Sequence, residues 1–258
     1  MILCLDVGNT NIFGGVFLGE NIELRFRYDT KQSSSSDQLG LFLRNVLIAN
    51  SIDPKKIQQI AICSVVPSTD YSLRAACKKY FQIDPFFIQA GTKTGLNLQV
   101  KNPNEVGADR ITNAIAAISL YPQKNLIIID LGTATTFCAI TAEKRYLGGA
   151  IMPGIRIAME SLSSKTAKLS AVEIVKPGQV IGRDTTSNIQ SGLYYGQLGA
   201  MREMTKLFIE EQFAKQPPVI IGTGGFTHLF SEEKLFDIIV PDLVLYGLKL
   251  ALHLNFSC

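Results

Sequence analysis

Apolar residues occur along the chain both in short unbroken runs and in stripes with helical spacing. In the first half, short runs predict strands over residues 2–5, 12–17, 22–26, 57–66 and 86–88. Apolar stripes predict helices that begin near Asp37, at Pro67 and at Gly107. Residues 91–106 lack any periodicity and carry Gly, Asn and Pro, which predicts a long loop of the kind that is often functional.

The second half of the chain repeats this organisation. Apolar runs predict strands over residues 126–129, 137–141, 146–151, 218–221 and 236–240. Helices are predicted after Gly154, over residues 187–213 and over residues 243–254. Strands that alternate with helices in both halves favour two similar α/β domains, with boundaries at residues 1–120 and 121–258.

The first strand of each half ends in a similar polar turn. Asp6 and Gly8 follow the first apolar run, with Asn9, Thr10 and Asn11 behind them. Asp130 and Gly132 follow the run at 126–129, with Thr133, Thr135 and Thr136 behind them. Two copies placed near the start of each half favour a duplicated domain, with both turns facing one cleft.

These turns have the chemistry of a phosphate site. A carboxylate at a strand end can hold Mg²⁺, a glycine lets phosphate approach, and Asn and Thr side chains donate hydrogen bonds. The alternative is that Asp and Gly only make tight turns. A later turn, Gly222-Thr-Gly-Gly225, also suits close approach by a nucleotide, whereas neither a complete G-x-G-x-x-G nor a Walker-type loop occurs.

Composition excludes several classes of protein. A net charge of +3 is too small and dispersed for a nucleic-acid binder, and no apolar run has membrane-spanning length. The start of the chain lacks a basic n-region and is needed as a core strand, so no signal peptide is predicted. The five cysteines show no metal-ligand spacing, and buried free thiols fit a cytoplasmic protein. With only two histidines, a general base is expected to be a carboxylate.

Four segments carry a resemblance to a known family. They are Asp6-Val-Gly-Asn-Thr-Asn, Gly107-Ala-Asp-Arg, Asp130-Leu-Gly-Thr-Ala-Thr-Thr and Gly148-Gly-Ala-Ile-Met-Pro-Gly. The paired turns resemble the superfamily of acetate and sugar kinases, actin and heat-shock chaperone ATPases, and the combination resembles type III pantothenate kinases over essentially the whole chain. The resemblance implies two ribonuclease H-like (actin-like ATPase) domains with a cleft between them. It also implies phosphorylation of pantothenate by ATP to 4'-phosphopantothenate, which opens coenzyme A synthesis.

The resemblance further implies a homodimer that uses Mg²⁺ and a monovalent cation, K⁺ or NH₄⁺. It assigns Asp109 as the catalytic base, Asp130 to the monovalent cation and Asp6 to Mg²⁺. The implied ATP-binding residues are Asp6, Val7, Gly8, Asn9, Thr10, Asn11, Ile12, Phe13 and Thr133. The implied substrate-binding residues are Gly107, Ala108, Asp109, Arg110, Thr185 and, where the family often has a tyrosine, Val100.

Three of these residues have a plain structural alternative, whereas Asp130, a carboxylate after a buried strand, is hard to explain without a cation. Asp109 could be a first-turn acid favoured by the helix dipole, Arg110 a surface cation and Thr185 a helix cap. At the level of function, the alternatives are another small-molecule kinase of the same superfamily and a non-catalytic nucleotide-binding regulator.

The proposed dimer also has a candidate surface in the sequence. Apolar residues in the long helix are too many for one inward stripe, which predicts that they help to form the interface: Leu193, Tyr194, Tyr195, Leu198 and Met201.

Overall fold

The apolar run at the start of the chain forms β1 (Ile2–Val7), the central strand of a five-stranded sheet. β1 pairs antiparallel with β2 (Asn11–Leu18), which pairs antiparallel with β3 (Asn21–Asp29). On its other side, β1 pairs parallel with β4 (Gln59–Ser64), and β4 pairs parallel with β5 (Phe86–Phe87). All five strands coincide with predicted apolar runs.

Two helices cover one face of this sheet. α1 (Ser36–Ala49) begins with a capping box, in which the Ser35 hydroxyl accepts from the Gln38 N–H and the Gln38 side chain accepts from the Ser35 N–H. α2 (Pro67–Phe81) begins at a proline, whose fixed φ suits the first helical position. Both helices bury apolar stripes in one core with β1, β2 and β4.

A second, six-stranded sheet lies in the other half of the chain. Its antiparallel centre consists of β7 (Leu126–Leu131), β8 (Ala134–Ile140) and β9 (Arg145–Pro153). The remaining strands pair parallel, with β10 (Val219–Thr223) beside β7, β11 (Ile238–Ile239) beside β10, and β6 (Asn97–Leu98) beside β9. β6 corrects the prediction of an unstructured loop over 91–106, because two residues are too few to show an apolar period.

The two sheets share one topology. The orders β3-β2-β1-β4-β5 and β9-β8-β7-β10-β11 match strand for strand, with an antiparallel meander followed by parallel strands. The duplication predicted from the two Asp-x-Gly turns is therefore confirmed. Asp6 is the last residue but one of β1 and Asp130 the last but one of β7, so the two carboxylates occupy equivalent places in equivalent sheets.

Three further helices follow the order predicted. α3 is Ala108–Leu120, α4 is Ile155–Lys165, and α5 is Thr185–Phe208 with a wider turn that continues to Phe213.

The structure overturns the reason given for placing the dimer interface on α5. Leu193, Tyr194, Leu198 and Met201 are buried in the second core, and Tyr195 packs against it half-buried. α5 is covered on more than one side, since the Tyr194 ring also stacks on Phe230 with 4.9 Å between ring centroids. A helix enclosed in this way needs a broader apolar surface than a single stripe.

The last helix, α6 (Leu243–Phe256), packs against β1 and β4. Close approach depends on glycine: a Cβ at Gly247 would lie 1.9 Å from the backbone oxygen of Thr112. Lys249 adds a polar anchor, because its buried ammonium donates to the Gly19 carbonyl at 2.8 Å and contacts Glu20 Oε1 at 2.6 Å. These contacts join α6 to the β2–β3 turn.

The computed structural model describes residues 1–30 and 34–256 and divides the chain into two compact units. The first consists of Met1–Gly95, Asn102–Ala116 and Leu243–Cys258, and the second of Leu96–Lys101 and Ala117–Asp242. These units differ from the predicted domains at three places, since α6 joins the first unit, β6 joins the second, and the boundary within α3 falls after Ala116 and not after residue 120. Cys4, Cys63, Cys77 and Cys138 are buried free thiols, while Cys258 lies outside the described residues.

Candidate active site

The first polar turn connects β1 to β2. The Gly8 N–H donates to the Asn11 carbonyl at 3.0 Å and closes the turn, leaving Asn9 and Thr10 exposed. A Cβ at Gly8 would lie 3.2 Å from the same carbonyl, so the tight closure favours glycine. Val7 and Ile12 are buried in the first core, which leaves only their backbone groups to meet a ligand. Phe13 is half-buried beneath the Arg27 guanidinium, 4.4 Å from its ring centre.

A cysteine links this turn to the predicted base. Cys63 pairs with Asp6 across the parallel strands β1 and β4, and its thiol donates to Asp6 Oδ1 at 3.2 Å. Burial raises the pKa of the Cys63 thiol well above its ordinary value, and the nearby carboxylates of Asp6 and Asp109 raise it further. Cys63 is therefore a protonated thiol close to both carboxylates.

Asp109 lies in the first turn of α3. Its Oδ1 accepts the Arg110 backbone N–H at 2.7 Å, and a Cβ on Gly107 would lie 2.5 Å from that oxygen. Gly107 thus leaves room for the Asp109 carboxylate, while the Ala108 carbonyl accepts from the Thr112 hydroxyl at 2.6 Å. Burial raises the pKa of Asp109, and this outweighs the opposite effects of the Arg110 N–H and guanidinium.

The second polar turn connects β7 to β8. The Gly132 N–H donates to the Ala134 carbonyl at 3.1 Å, and Thr133 between them is exposed. Thr135, by contrast, is 1% exposed, and its hydroxyl accepts from the Gln197 side chain at 2.8 Å. Of the threonines in this turn, Thr133 is thus the one that the structure leaves accessible.

Two glycines let other segments approach the second turn. Gly224, in the glycine-rich turn after β10, has φ +90°, and a Cβ there would lie 2.4 Å from Asp130 Oδ1. At Gly154, the residue before α4, a Cβ would lie 2.3 Å from the Thr133 carbonyl oxygen. The Asp130 carboxylate is therefore held beside backbone that only glycine can supply.

Thr185 and Val100 lie elsewhere in the second unit. Thr185 is the first residue of α5, and the cap is Asp184, whose carboxylate accepts the Ser187 N–H at 2.9 Å. The helix-cap alternative for Thr185 is therefore wrong. Thr185 instead borders a cavity of about 750 Å³ between α4 and α5, lined mostly by apolar residues such as Ile157 and Leu193. Val100 lies beside Gly148, since a Cβ on Gly148 would be 3.6 Å from Val100 Cγ1.

Sequence reasoning missed the neighbours of these residues. Cys63 sits in an apolar strand, and the sequence alone does not distinguish it from an ordinary core thiol, because the parallel register that pairs it with Asp6 is not visible there. For Gly154, the sequence indicates a helix start and a place in the family motif, but not its close approach to the Thr133 carbonyl. Among the described residues, no three His, Cys, Asp or Glu side chains form a cluster that could hold a metal ion.

In the comparison with known sequences, the matching family model and the relatives named below carry the same family description. A family model described as type III pantothenate kinase matches residues 2–207. A protein named type III pantothenate kinase from Legionella pneumophila (strain Corby) is 57% identical over 255 residues, which are 99% of both chains. One named type III pantothenate kinase 1 from Francisella tularensis subsp. holarctica (strain OSU18) is 49% identical over 255 residues, covering 99% of this chain and 100% of the relative.

Solved structures resemble this fold at low sequence identity. A conserved putative Baf family transcriptional activator from Campylobacter jejuni has a TM-score of 0.61 and 18% identity, with 99% of this chain and 100% of that chain covered. A putative 2-dehydro-3-deoxygalactonokinase from Sinorhizobium meliloti has a TM-score of 0.62 and 12% identity, with coverage of 100% and 98%. At these identities the likeness establishes the fold.

Proposed function

The chain belongs to the type III pantothenate kinase family, and on that premise we propose that it transfers the γ-phosphoryl group of ATP to pantothenate. The product is 4'-phosphopantothenate, and the reaction opens coenzyme A synthesis. The observation that carries this proposal is the repeated turn, since Asp6 and Asp130 occupy the same place near the ends of equivalent strands in two equivalent sheets, and each precedes a glycine-closed loop. Phosphoryl transfer needs such groups to position phosphates and neutralise their charge.

The residues of the first unit supply ATP contacts and the base in this proposal. The turn from Asp6 to Phe13 binds ATP phosphates through Asn9, Thr10 and exposed backbone N–H groups. Asp109 accepts the proton of the pantothenate hydroxyl as that oxygen attacks the γ-phosphorus. Its raised pKa supports this role, because a general base is most effective when its pKa approaches the working pH. Gly107 and Ala108 line the substrate site, and Arg110 pairs with the pantothenate carboxylate.

The second unit contributes Thr133 to ATP and Thr185 to pantothenate, with Val100 as a substrate neighbour. Thr185 borders a mainly apolar cavity, which suits the branched carbon skeleton of pantothenate.

The donor chemistry fits the two implied cations. Mg²⁺ is commonly bound by one or two carboxylates together with substrate phosphates and water, and Asp6 at the phosphate turn meets that requirement. Asp130 would hold K⁺ or NH₄⁺, since its carboxylate lies in a backbone cradle that a Cβ at Gly224 would fill. When bound, the cations offset phosphate charge, while the chain's own residues orient the reacting groups.

The test of the proposed function is ATP consumption with and without pantothenate. We expect ADP release that depends on pantothenate and is absent with sugar or short acyl acceptors. Turnover with a different acceptor would favour another small-molecule kinase. ATP binding without turnover on any acceptor would favour a nucleotide-binding regulator.

We also propose a homodimer, on a surface different from the one predicted. Exposed apolar residues lie on β9, on α4 and on the loop before α5: Ile151, Ile157, Leu162, Val180 and Ile181. Of these, Ile157 and Leu162 also line the apolar cavity of the second unit. Ile181 is 82% exposed and follows Val180, which is 61% exposed, and neighbouring exposed apolar side chains are typical of an interaction surface. We expect light scattering at micromolar concentration to give the mass of a dimer.

Ile181→Asp should shift this dimer toward the monomer, because a buried unpaired charge opposes association. Leu41→Asp, at an exposed position of α1, is the matched control and should leave the mass unchanged. A monomeric wild-type protein would contradict the dimer, and a dimeric Ile181→Asp variant would remove Ile181 from the interface.

The location of the protein in the cell is also a proposal. The four described cysteines are buried free thiols, which supports a reducing compartment, and we place the protein in the cytoplasm. Separately, none of the helices in the described residues is long and apolar enough to cross a membrane.

A further inference from the structure

Thr30, the residue after β3, makes two hydrogen bonds to the first polar turn. Its hydroxyl donates to the Gly8 carbonyl at 2.7 Å, and its backbone N–H donates to the Thr10 carbonyl at 2.9 Å. The Asn11 carbonyl accepts the Gly8 N–H at 3.0 Å. Three carbonyl groups of the turn are thus held by donors of the protein itself.

Peptide geometry gives these bonds a consequence for ligand binding. In a planar trans peptide, the carbonyl of one residue and the N–H of the next point in opposite directions, and the described residues contain no cis peptide. Because the Gly8 carbonyl points at Thr30, the Asn9 N–H points away from it. Asn9 is itself exposed, so a ligand can reach the residue whose N–H is turned away from Thr30. An anion would be repelled by carbonyl oxygens but attracted by N–H groups.

The second unit offers a comparison within the same molecule. Gly154 follows β9 as Thr30 follows β3, and β9 is the counterpart of β3. Gly154 approaches the Gly132 and Thr133 carbonyls with its backbone, where a Cβ would lie 2.7 Å and 2.3 Å from the two oxygens. The two turns are therefore contacted differently at equivalent positions. The first turn is held by the Thr30 hydroxyl, whereas the second is contacted by the backbone of Gly154.

We propose that Thr30 is a positioning residue for ATP, which fixes the first turn with its carbonyls inward and the Asn9 N–H outward. This inference rests on the proposed function for the identity of the anion, the phosphates of ATP. Threonine suits the role because its branched Cβ restricts χ1 and keeps the hydroxyl in place.

The test compares three variants by calorimetry with ATP alone and by steady-state kinetics. Thr30→Val removes the hydroxyl and keeps the shape, and we expect ATP affinity to fall roughly five- to tenfold, the effect of one hydrogen bond. Turnover at saturating ATP and the KM for pantothenate should change less than about twofold. Thr30→Ser keeps the hydroxyl and should retain affinity close to that of the wild type.

Thr69→Val is the matched control. The Thr69 hydroxyl is buried in the same unit and donates to the Val66 carbonyl at 2.9 Å, at the start of α2. Its loss should lower the free energy of unfolding without a change in ATP affinity. If Thr30→Val did not fold, Thr30→Ala would take its place, because it removes the same hydroxyl with a smaller side chain.

Three results would overturn the inference: unchanged ATP affinity in Thr30→Val, an equal loss in Thr30→Ser, or an equal loss in Thr69→Val. Calorimetry without pantothenate measures ATP affinity alone, so it tests the role of Thr30 separately from the proposed kinase activity. A wild-type protein that bound ATP but did not phosphorylate pantothenate would refute the kinase assignment and still allow the role of Thr30 to be measured.

Discussion

Asp109→Asn should lower pantothenate-dependent turnover by roughly 10²- to 10⁴-fold, which is the usual contribution of a positioned general base. The substitution keeps the shape of the side chain and removes the charge that accepts the proton of the alcohol. ATP affinity should survive, because Asp109 lies on α3 and not in the turn that we assign to the phosphates. Calorimetry with ATP and ADP release should be measured on the same folded sample.

The raised pKa of Asp109 gives this prediction a pH dependence. The carboxyl accepts a proton only when ionised, so the rate is full above its pKa and falls as the pH drops through it. Because burial raises that pKa, the acidic limb of kcat/KM should lie above the range of an exposed aspartate. The same burial makes the charge unfavourable in the folded state above the pKa, so Asp109→Asn should not lower the free energy of unfolding at neutral pH.

Asp37→Asn is the control for the alternative role of Asp109. Asp37 is also an acid in the first turn of a helix of the first unit, where it pairs with Lys79 at 2.7 Å. Its substitution should affect stability slightly and turnover not at all. If Asp109→Asn also turned over within a few-fold of the wild type, Asp109 would be a first-turn acid with no part in the chemistry.

Asp130→Asn should weaken the dependence of activity on K⁺ or NH₄⁺ and lower turnover at the same time. The carboxylate follows the fully buried residues 126–129, and a charge in such a place is costly unless a cation or hydrogen bonds compensate it. Loss of even an outer partner at a metal site typically costs about 10- to 100-fold, so loss of the carboxylate itself should reduce cation affinity by at least that order. The measurement is the rate against K⁺, NH₄⁺ and Na⁺ concentration.

Asp237→Asn makes the same chemical change in the same unit, where the Asp237 carboxylate accepts the Ile220 N–H at 2.7 Å. Its cation dependence should match that of the wild type. Equal wild-type rates in Na⁺ and K⁺ would contradict the assignment of a selective monovalent site to Asp130.

Local chemistry explains why so much of the fold could be predicted. The runs that became β1 and β7 are continuous apolar segments, and each ends at an Asp that cannot join the core. Such signals are short in range, and they sufficed for the strands, the duplication and the two turns.

Features that depend on which strands and helices pair in the folded protein could not be predicted from the sequence. Whether Cys63 meets a carboxylate depends on the register between β1 and β4, which lie more than fifty residues apart. The apolar residues of α5 suggested an interface, because the sequence does not show that Phe230 covers a second side of the helix. For Thr185, the neighbouring Asp184 is the better cap, and only the backbone geometry shows which of the two ends the loop.

The placement of α6 on the first sheet sets an order of events during protein synthesis. The ribosome makes β1 to β5 first, but the helix that packs against β1 and β4 emerges only after residues 117–242. The later-made second unit is nearly continuous in the chain, so its folding does not wait for α6. Domains generally fold as units during translation, and here the unit that begins first is completed last. Until then, the residues of β1 and β4 that α6 contacts in the folded protein lack that cover, and transiently exposed apolar surface favours aggregation.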